Sequence, residues 1–380
     1  MNRIIGKLFR AESNAHSFIK AVIVVFLLYL FLVSIKMMGS SFKMFGKNFA
    51  EMLINSTSNR FVGLFIGILA TSIIQSSSTV TSIVVGLVGG GMLTVTNAVP
   101  IVMGANIGTS VTNTLVSLGH ITRKEEFERA FHGAILHDHF NVLTVMILFP
   151  LEMATGFLQK SAGFCAKYVM DIKFISGEGL FSKIIGAPVN ILKASITNGL
   201  CVSDVAAGII MISISFVILV ISLTLIVKVM RSMMLSRVEA FFDRYVFRHG
   251  MLSLLLGLVL TSFVQSSSVT TSLVVPIMGA GILTPAQVFP YMMGANIGTT
   301  VTAMLAALAT ASQPAIVVAF VHLMFNSFGV MIWYPLKKVP LKISDWVSAY
   351  CITKRRNAVI YILLVFFVLP ALLIFLSRVF

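Results

Sequence analysis

The stretch TSIIQSSS at residues 71–78 recurs as TSFVQSSS at residues 261–268. The similarity continues without a gap to residues 112 and 302, at a constant offset of 190, and 24 of the 42 aligned positions are identical. Serine, threonine and glutamine side chains are costly inside a membrane and are usually functional where they occur there. Polar residues repeated in register within an apolar chain therefore indicate a symmetric binding site built from two halves, a pattern typical of membrane transporters.

Composition independently predicts a membrane protein. Hydrophobic residues make up 57% of the 380 residues, charged residues make up 11%, and the mean hydropathy is +0.98. A soluble fold of this size could not bury so much apolar surface, so the chain is expected in a lipid bilayer. The formal net charge of +15 could suggest a nucleic-acid partner. Basic residues that flank apolar segments are instead typical of orientation signals, and no nucleic-acid partner is expected.

Seven apolar stretches are long enough to cross the ~30 Å hydrocarbon core as single helices. They cover residues 18–38, 98–118, 130–150, 206–227, 288–308, 315–334 and 358–377. The segments around the two QSSS runs differ, because a helix over residues 61–74 would be only about 21 Å long and one continuing to residue 93 about 50 Å long. The sequence therefore predicts re-entrant hairpins at 61–93 and 251–283, each with a polar turn that protein or a water-filled cavity must surround.

An amphipathic segment precedes each hairpin and is expected to lie in the membrane interface. In the first, the apolar stripe of Phe42, Phe45, Phe49, Met52 and Leu53 opposes Lys43, Lys47 and Glu51. In the second, the apolar stripe of Leu235, Val238, Phe241, Phe242, Tyr245 and Val246 opposes Arg237, Glu239, Asp243 and Arg244.

These elements predict an all-α polytopic membrane protein with two inverted-topology repeats, each containing a re-entrant helical hairpin and a broken helix, and about seven full spans plus the two hairpins. A hairpin returns to its starting side, so three crossings separate the repeats and the second repeat is inverted. The predicted order is a cytoplasmic N-terminus (1–17), repeat 1 (18–150), an extracytoplasmic loop (151–205), repeat 2 (206–335), and a basic cytoplasmic segment with the final span (336–380). The segments predicted inside carry 18 of the 28 Lys and Arg residues, which favours this orientation.

After each hairpin comes a second repeated motif, PIVMGANIGTSVT at residues 100–112 and PYMMGANIGTTVT at residues 290–302. Two glycines around an asparagine predict either a broken helix with free carbonyl oxygens for sodium or close helix packing through Gly-x-x-x-Gly. Because the motif occurs twice, each time after a serine turn, we favour the binding site.

A weaker repeat pairs His137 and Asn141 with His322 and Asn326, and a structural role is favoured for these histidines. Neighbouring helical residues point to different faces, so His137, Asp138 and His139 do not predict a metal site. Asp138 is expected either to pair with an Arg or a His or to be proton-sensitive. A disulfide between Cys165 and Cys201 is left open. The sequence has no nucleotide-binding motif and no catalytic triad, so neither an ATP-driven pump nor an enzyme is expected.

At the QSSS runs and the following Gly-Ala-Asn-Ile-Gly-Thr motifs, the chain resembles the type II sodium-dependent phosphate cotransporters, and the resemblance covers nearly the whole chain up to Lys342. It implies sodium-coupled uptake of inorganic phosphate by alternating access, with no cofactor and with sodium as the only metal ion. The compact length resembles that of a bacterial member and implies the inner membrane. A second copy of the chain, as a homodimer, is kept as a candidate partner.

The resemblance also implies a division of the polar residues among ligands. The predicted phosphate ligands are Ser76, Ser77, Ser78, Ser266, Ser267 and Ser268. The predicted sodium ligands are Gln75, Asn106, Thr109, Gln265, Asn296 and Thr299. The predicted supporting residues are Thr79, Thr112, Thr302, His137 and His322.

Three alternatives stay open at this point. The substrate could be another small anion, or the direction could be export, and competition by sulfate against arsenate would distinguish these. An anion channel would give a sodium-independent current without accumulation. A membrane scaffold or sensor would tolerate replacement of Gln75 or Gln265 by alanine.

Overall fold

The computed structural model describes residues 2–56, 59–170, 180–199, 202–235 and 246–379. Within these ranges the chain is helical and contains no β-strand. The fold is therefore all-α, as predicted. The second predicted amphipathic segment falls largely on residues 236–245, which lie outside the described residues, as does Cys201.

The first half of the chain contains the predicted hairpin between long helices. Its helices are α1 (Asn2–Met44), α2 (Gly46–Ser56), α3 (Arg60–Ile74), α4 (Ser77–Gly89), α5 (Val95–Thr109), α6 (Val111–Leu118) and α7 (Lys124–Thr155). A positive φ of 81° at Gly46, where glycine is favoured, separates α2 from α1 and lets the amphipathic segment leave the first span.

The second half repeats this order. Its helices are α10 (Asp204–Leu235), α11 (Gly250–Val264), α12 (Ser267–Gly279), α13 (Pro285–Thr310) and α14 (Gln313–Trp333), and a short 3₁₀ turn (Val246–Arg248) precedes α11. The arms α11 and α12 have the same lengths, 15 and 13 residues, as α3 and α4. The equality follows from the repeat in sequence.

The segments predicted as a loop and as a basic cytoplasmic stretch are largely helical. Residues 151–205 contain α8 (Phe157–Met170) and α9 (Leu180–Gly199). Residues 336–380 contain α15 (Lys338–Ile352), α16 (Arg355–Leu363), a π-helical turn (Leu364–Val368) and α17 (Leu369–Val379). Helices α8 and α9 were not predicted from the sequence, because both are amphipathic and lack a long apolar run. That residues 151–205 connect the two repeats outside the cytoplasm stays a prediction.

Six described helices are long and apolar enough to cross a membrane. They are Phe18–Met44, Lys124–Thr155, Asp204–Met230, Pro285–Thr310, Gln313–Trp333 and Arg355–Ser377. The seventh predicted span, residues 98–118, is divided at Ser110 into α5 and α6. The chain is an integral membrane protein, and the inverted relation of its halves stays a prediction.

The broken-helix prediction holds for one repeat only. The first repeat breaks at Ser110, four residues beyond Asn106, whereas α13 runs without a break through Asn296. The glycines serve helix packing instead. A Cβ on Gly108 would lie 2.6 Å from the Ile68 carbonyl oxygen of α3, and one on Gly298 would lie 2.5 Å from the Leu258 carbonyl oxygen of α11. Each hairpin is thus held by close contact between its first arm and the helix that follows.

Apolar side chains both fill the interior and cover the outside. Around α1, Phe31 and Ile35 pack with Val85 of α4 and Met211 of α10. Large apolar side chains such as Phe375 are exposed, as lipid contact requires. Buried polar side chains are concentrated in the hairpins and the helices that follow them, so the fold places the repeated polar motifs at its centre.

Candidate functional site

The tips of the two hairpins touch. The Ser78 hydroxyl at the start of α4 donates a hydrogen bond of 2.9 Å to the backbone carbonyl of Gln265 at the end of α11. The two residues are 187 positions apart in sequence. The structure therefore brings the two repeated QSSS turns to one locus.

The six predicted phosphate-binding serines all lie at the start of the second hairpin arms. Ser76 and Ser266 are the N-cap residues of α4 and α12, and their side chains accept hydrogen bonds from the Thr79 and Val269 N–H groups, respectively. The others, Ser77, Ser78, Ser267 and Ser268, occupy the first turns and are buried. The first N–H groups of a helix have no intrahelical acceptor and favour anions. Two such helix ends meet at the tips.

The two tip glutamines share a backbone conformation. Gln75 and Gln265 have φ values of 57° and 61°, in the left-handed region, and each ends the first arm of its hairpin. This conformation is what turns the chain sharply from one arm to the other.

The glutamine side chains, in contrast, differ. Gln265 is 7% exposed, and its amide oxygen accepts a 2.7 Å hydrogen bond from the Thr302 hydroxyl. Gln75 is exposed. The hydroxyl oxygen of Thr112, the counterpart of Thr302, is buried and has no hydrogen-bond partner among the described residues. One repeat therefore forms a glutamine–threonine contact that the other lacks.

The hydroxyl groups of three other predicted threonines donate hydrogen bonds to acceptors three or four residues earlier in the chain. Thr79 donates to the Ser76 hydroxyl at 2.9 Å. Thr109 and Thr299 donate to the carbonyls of Ala105 and Ala295, one turn earlier, at 2.9 and 3.0 Å. Their oxygen lone pairs are thereby left as candidate cation ligands.

The predicted asparagines and histidines form crossed pairs between the repeats. Asn296 accepts from His137 Nε2 at 2.7 Å and donates to Asn141 at 2.8 Å. Asn106 accepts from His322 Nε2 at 3.3 Å and from Asn326 at 3.1 Å. The amide oxygens of both predicted sodium ligands therefore already accept hydrogen bonds. Hydrogen bonds of this kind are expected if the histidines have a structural role.

One series of hydrogen bonds, which runs through Asn113, was not predicted from the sequence. Asn113 of α6 bonds His137 Nδ1 at 3.0 Å and accepts a 3.0 Å bond from Thr271 of α12. It thereby links the second hairpin to α7. At an offset of 190 the counterpart of Asn113 is Ala303, and the Nδ1 atom of His322 is buried without a partner among the described residues. A search for repeated residues could not find Asn113, although an asparagine within an apolar helix was a signal in itself.

Asp138 is buried in α7, and its Oδ2 accepts a 3.2 Å hydrogen bond from the Tyr361 hydroxyl of α16. None of the ion pairs in the described part of the chain includes Asp138, so of the two predicted alternatives the pairing with Arg or His is not observed there, and the proton-sensitive role stays a prediction. Among the described residues, no group of three or more His, Cys, Asp or Glu side chains could hold a metal ion. The tip locus instead offers hydroxyl, amide and backbone groups, which suit an oxyanion and a hard monovalent cation.

A sequence model of the Na+/Pi-cotransporter family matches residues 30–174 and 218–341, which together make up more than half of the chain. The chain belongs to the Na+/Pi-cotransporter family. The family is one of transporters rather than enzymes, and its matched ranges begin before each hairpin and extend beyond the helices that pack on it.

Several mammalian family members are similar along most of the chain. Sodium-dependent phosphate transport protein 2A of Rattus norvegicus is 32% identical over 417 residues, which cover 91% of this chain and 66% of the rat protein. The 2A protein of Ovis aries is 32% identical over 448 residues, with coverages of 98% and 70%. The 2B protein of Homo sapiens is 31% identical over 437 residues, with coverages of 90% and 63%. No solved structure matches the chain.

Proposed function

We propose that this family member couples inward sodium flux to the uptake of inorganic phosphate by alternating access, with the substrate between the two hairpin tips. The observation that carries the proposal is the hydrogen bond from Ser78 to the Gln265 carbonyl, because it joins the repeated turns into one locus. The choice of ions rests on the relatives, which are named sodium-dependent phosphate transport proteins.

Phosphate is assigned to the serines Ser76–Ser78 and Ser266–Ser268. Hydroxyl groups and the first N–H groups of α4 and α12 are donors, and a phosphate ion presents acceptor oxygens on all sides. No full positive charge is needed at the tips, since two helix N-termini contribute partial positive charge there.

Sodium is assigned to oxygens of Gln75, Thr109, Gln265 and Thr299. Asn106 and Asn296 were predicted with them, but their amide oxygens accept hydrogen bonds from His322 and His137. We therefore propose that each asparagine contributes to sodium binding only in a conformation in which its histidine bond is lengthened or broken.

The unequal glutamines support alternating access. In the described conformation Gln265 bonds Thr302, whereas Gln75 is exposed and the Thr112 hydroxyl lacks a partner. Because the repeats have equivalent residues at these positions, the opposite arrangement, with Gln75 bonded to Thr112 and Gln265 released, is available to the same sequence. We propose that the two arrangements alternate during transport, so that one tip is closed while the other is open.

The proposal is tested with the purified chain in proteoliposomes. Radiolabelled phosphate is added with an inward sodium gradient or with potassium at equal ionic strength, and the membrane potential is clamped to detect net charge movement. Phosphate should accumulate above its external concentration only with sodium, and arsenate should compete better than sulfate. Uptake indifferent to sodium, or blocked better by sulfate, would overturn the proposal, and a sodium-independent current without accumulation would identify a channel.

A matched pair of variants links uptake to the tips. Ser78→Ala removes a hydroxyl from the contact between the hairpins, and uptake at low phosphate should fall about tenfold or more, since a hydrogen bond to a charged group contributes about 1.5–3 kcal/mol. Ser213→Ala removes an exposed hydroxyl from the α10 span, where the side chain bonds only the carbonyl one turn earlier. Its uptake should stay at the wild-type level.

The bacterial inner membrane, the cytoplasmic N-terminus and a homodimer belong to the same proposal. The named relatives come from mammals, so no similarity to them supports the bacterial location. The orientation rests on the distribution of Lys and Arg.

A further inference from the structure

A cavity of about 440 Å³ lies between α1 and α9. Its polar lining comes from Lys36 and Ser40, one turn apart on α1, and from Lys183 and Asn190, on one face of α9. The rest of the described lining is small or apolar and includes Gly186. The volume falls in the range of small-ligand sites. None of the lining residues belongs to the hairpin tips.

A second cavity of about 140 Å³ shares Lys36 and Ser40 with the first. It extends to Lys43, to Gly89 at the end of α4 and to Thr310 at the end of α13. Lys36 therefore borders both a peripheral cavity and a smaller one at the base of the first hairpin.

Positive charge dominates both cavities. Three lysines, Lys36, Lys43 and Lys183, line them, and no acidic side chain does so among the described residues. The ion pairs in the described part of the chain involve other residues. The Lys36 ammonium donates one hydrogen bond, of 3.4 Å, to the Thr310 carbonyl. An ammonium group has three donors, so Lys36 retains capacity for a ligand.

These groups define the chemistry of the ligand. Two ammonium groups facing one cavity, with a hydroxyl and an amide beside them, attract an anion with several acceptor oxygens. We infer that the cavity between α1 and α9 binds a phosphate-type oxyanion, either inorganic phosphate or the phosphodiester headgroup of an anionic phospholipid. Binding at this cavity does not depend on transport at the hairpin tips.

The test measures how fast single lysines react with an amine-specific acylating reagent, read by peptide mass spectrometry. The full chain is placed in nanodiscs of phosphatidylcholine, with either inorganic phosphate or chloride at equal ionic strength, and in nanodiscs containing phosphatidylglycerol without phosphate. A bound anion covers the amine and favours its unreactive protonated form. When the site is mostly occupied, the reaction rates of Lys36 and Lys183 should fall to about one third or below. The rate of Lys193, on α9 outside the cavity lining, should not change.

The two arms distinguish the sources of the ligand. Protection by inorganic phosphate in phosphatidylcholine identifies a free-ion site, and protection only with phosphatidylglycerol identifies a lipid site. Either supports the inference. Equal reactivity of Lys36 and Lys183 in all conditions, or equal protection of Lys193, overturns it, whether or not the protein transports phosphate.

A steric variant provides a second test without removing charge. A Cβ on Gly186 would meet no atom within 4 Å, so the side chain of Gly186→Phe can occupy the cavity. Gly163 on α8 has the same free space, which makes Gly163→Phe the matched control. Protection of Lys36 and Lys183 should be lost in Gly186→Phe and kept in Gly163→Phe, while both proteins keep the wild-type melting temperature within a few degrees. Protection that survives in a folded Gly186→Phe protein contradicts the inference.

Discussion

At the scale of single residues, Gln75 and Gln265 share one backbone conformation and differ in what surrounds the side chain. Both have positive φ, so the conformational cost of any substitution is the same at the two positions. Gln265 is buried against Thr302, and Gln75 is exposed. Comparison of the same substitution at both positions therefore isolates the side-chain contact.

Gln265→Ala should destabilise the protein more than Gln75→Ala. Loss of the amide leaves the Thr302 hydroxyl buried without a partner, which costs about 1–3 kcal/mol, whereas removal of an exposed side chain changes stability by about 0.5 kcal/mol or less. Thermal unfolding in detergent measures the difference. Equal melting temperatures would show that the Gln265–Thr302 contact does not stabilise this conformation. Both variants should lose phosphate uptake, because each glutamine is a proposed ligand.

Cys351 provides a residue-scale prediction outside the spans. Burial raises the pKa of the Cys351 thiol to about 11, so little of it is thiolate at pH 8. Its alkylation should be slow at pH 8 and should accelerate up to about pH 11, as the thiolate fraction rises. Cys165, which is half-buried, should react faster at pH 8 in the same sample. Faster labelling of Cys351 than of Cys165, measured by peptide mass spectrometry, would show that Cys351 is accessible.

At the scale of helices, glycines bind each hairpin arm to the helix that follows it. A Cβ on Gly104 would overlap the Leu64 carbonyl of α3, and one on Gly294 would overlap the Leu254 carbonyl of α11. The helices of the pairs α3–α5 and α11–α13 therefore lie so close together that only glycine fits at these contacts. This contact determines where each tip lies.

Gly104→Ala and Gly294→Ala should each destabilise the fold by about 1–3 kcal/mol, because the helices must separate to admit the methyl group. Gly163→Ala provides the control, since a Cβ there meets no atom within 4 Å. Alanine in that helical position should stabilise by about 0.5–1 kcal/mol. Melting temperatures of the three variants test the contact, and an unchanged value for both Gly104→Ala and Gly294→Ala would contradict it.

Helix lengths and repeats predicted the hairpin arms and their turns, because both are local properties of the sequence. Whether the Gly-x-x-x-Gly motif breaks its helix or packs it closely is not determined by the local sequence. It depends on a carbonyl of another helix, so the sequence favoured a break in both repeats, whereas only the first breaks, at Ser110, and the second continues through Asn296. Asn113 was missed for a similar reason: its partners His137 and Thr271 lie on other helices, and its counterpart is Ala303.

At the scale of the whole molecule, two hairpins meet at one locus, and polar partners cross between the halves. Ser78 bonds Gln265, Asn106 bonds His322 and Asn296 bonds His137. The repeat predicted that both halves contribute to one site, because a polar turn inside a membrane must be surrounded by protein or by a water-filled cavity. The peripheral cavity at Lys36 was not predicted, since α9 lies in a segment that the sequence suggested was a loop.

If the second repeat is inverted, the two hairpins enter the membrane from opposite faces. Thiol labelling with an impermeant reagent tests this directly. Thr94 and Thr284 are equivalent, exposed and adjacent to the second arms. Thr94→Cys and Thr284→Cys are made separately in a chain with Cys165, Cys201 and Cys351 replaced by alanine, and uptake is measured to confirm that each variant folds. In sealed, oriented vesicles an impermeant maleimide should label each cysteine from one side only, and the two from opposite sides. Labelling of both cysteines from the same side would contradict a single site built from two opposed hairpins.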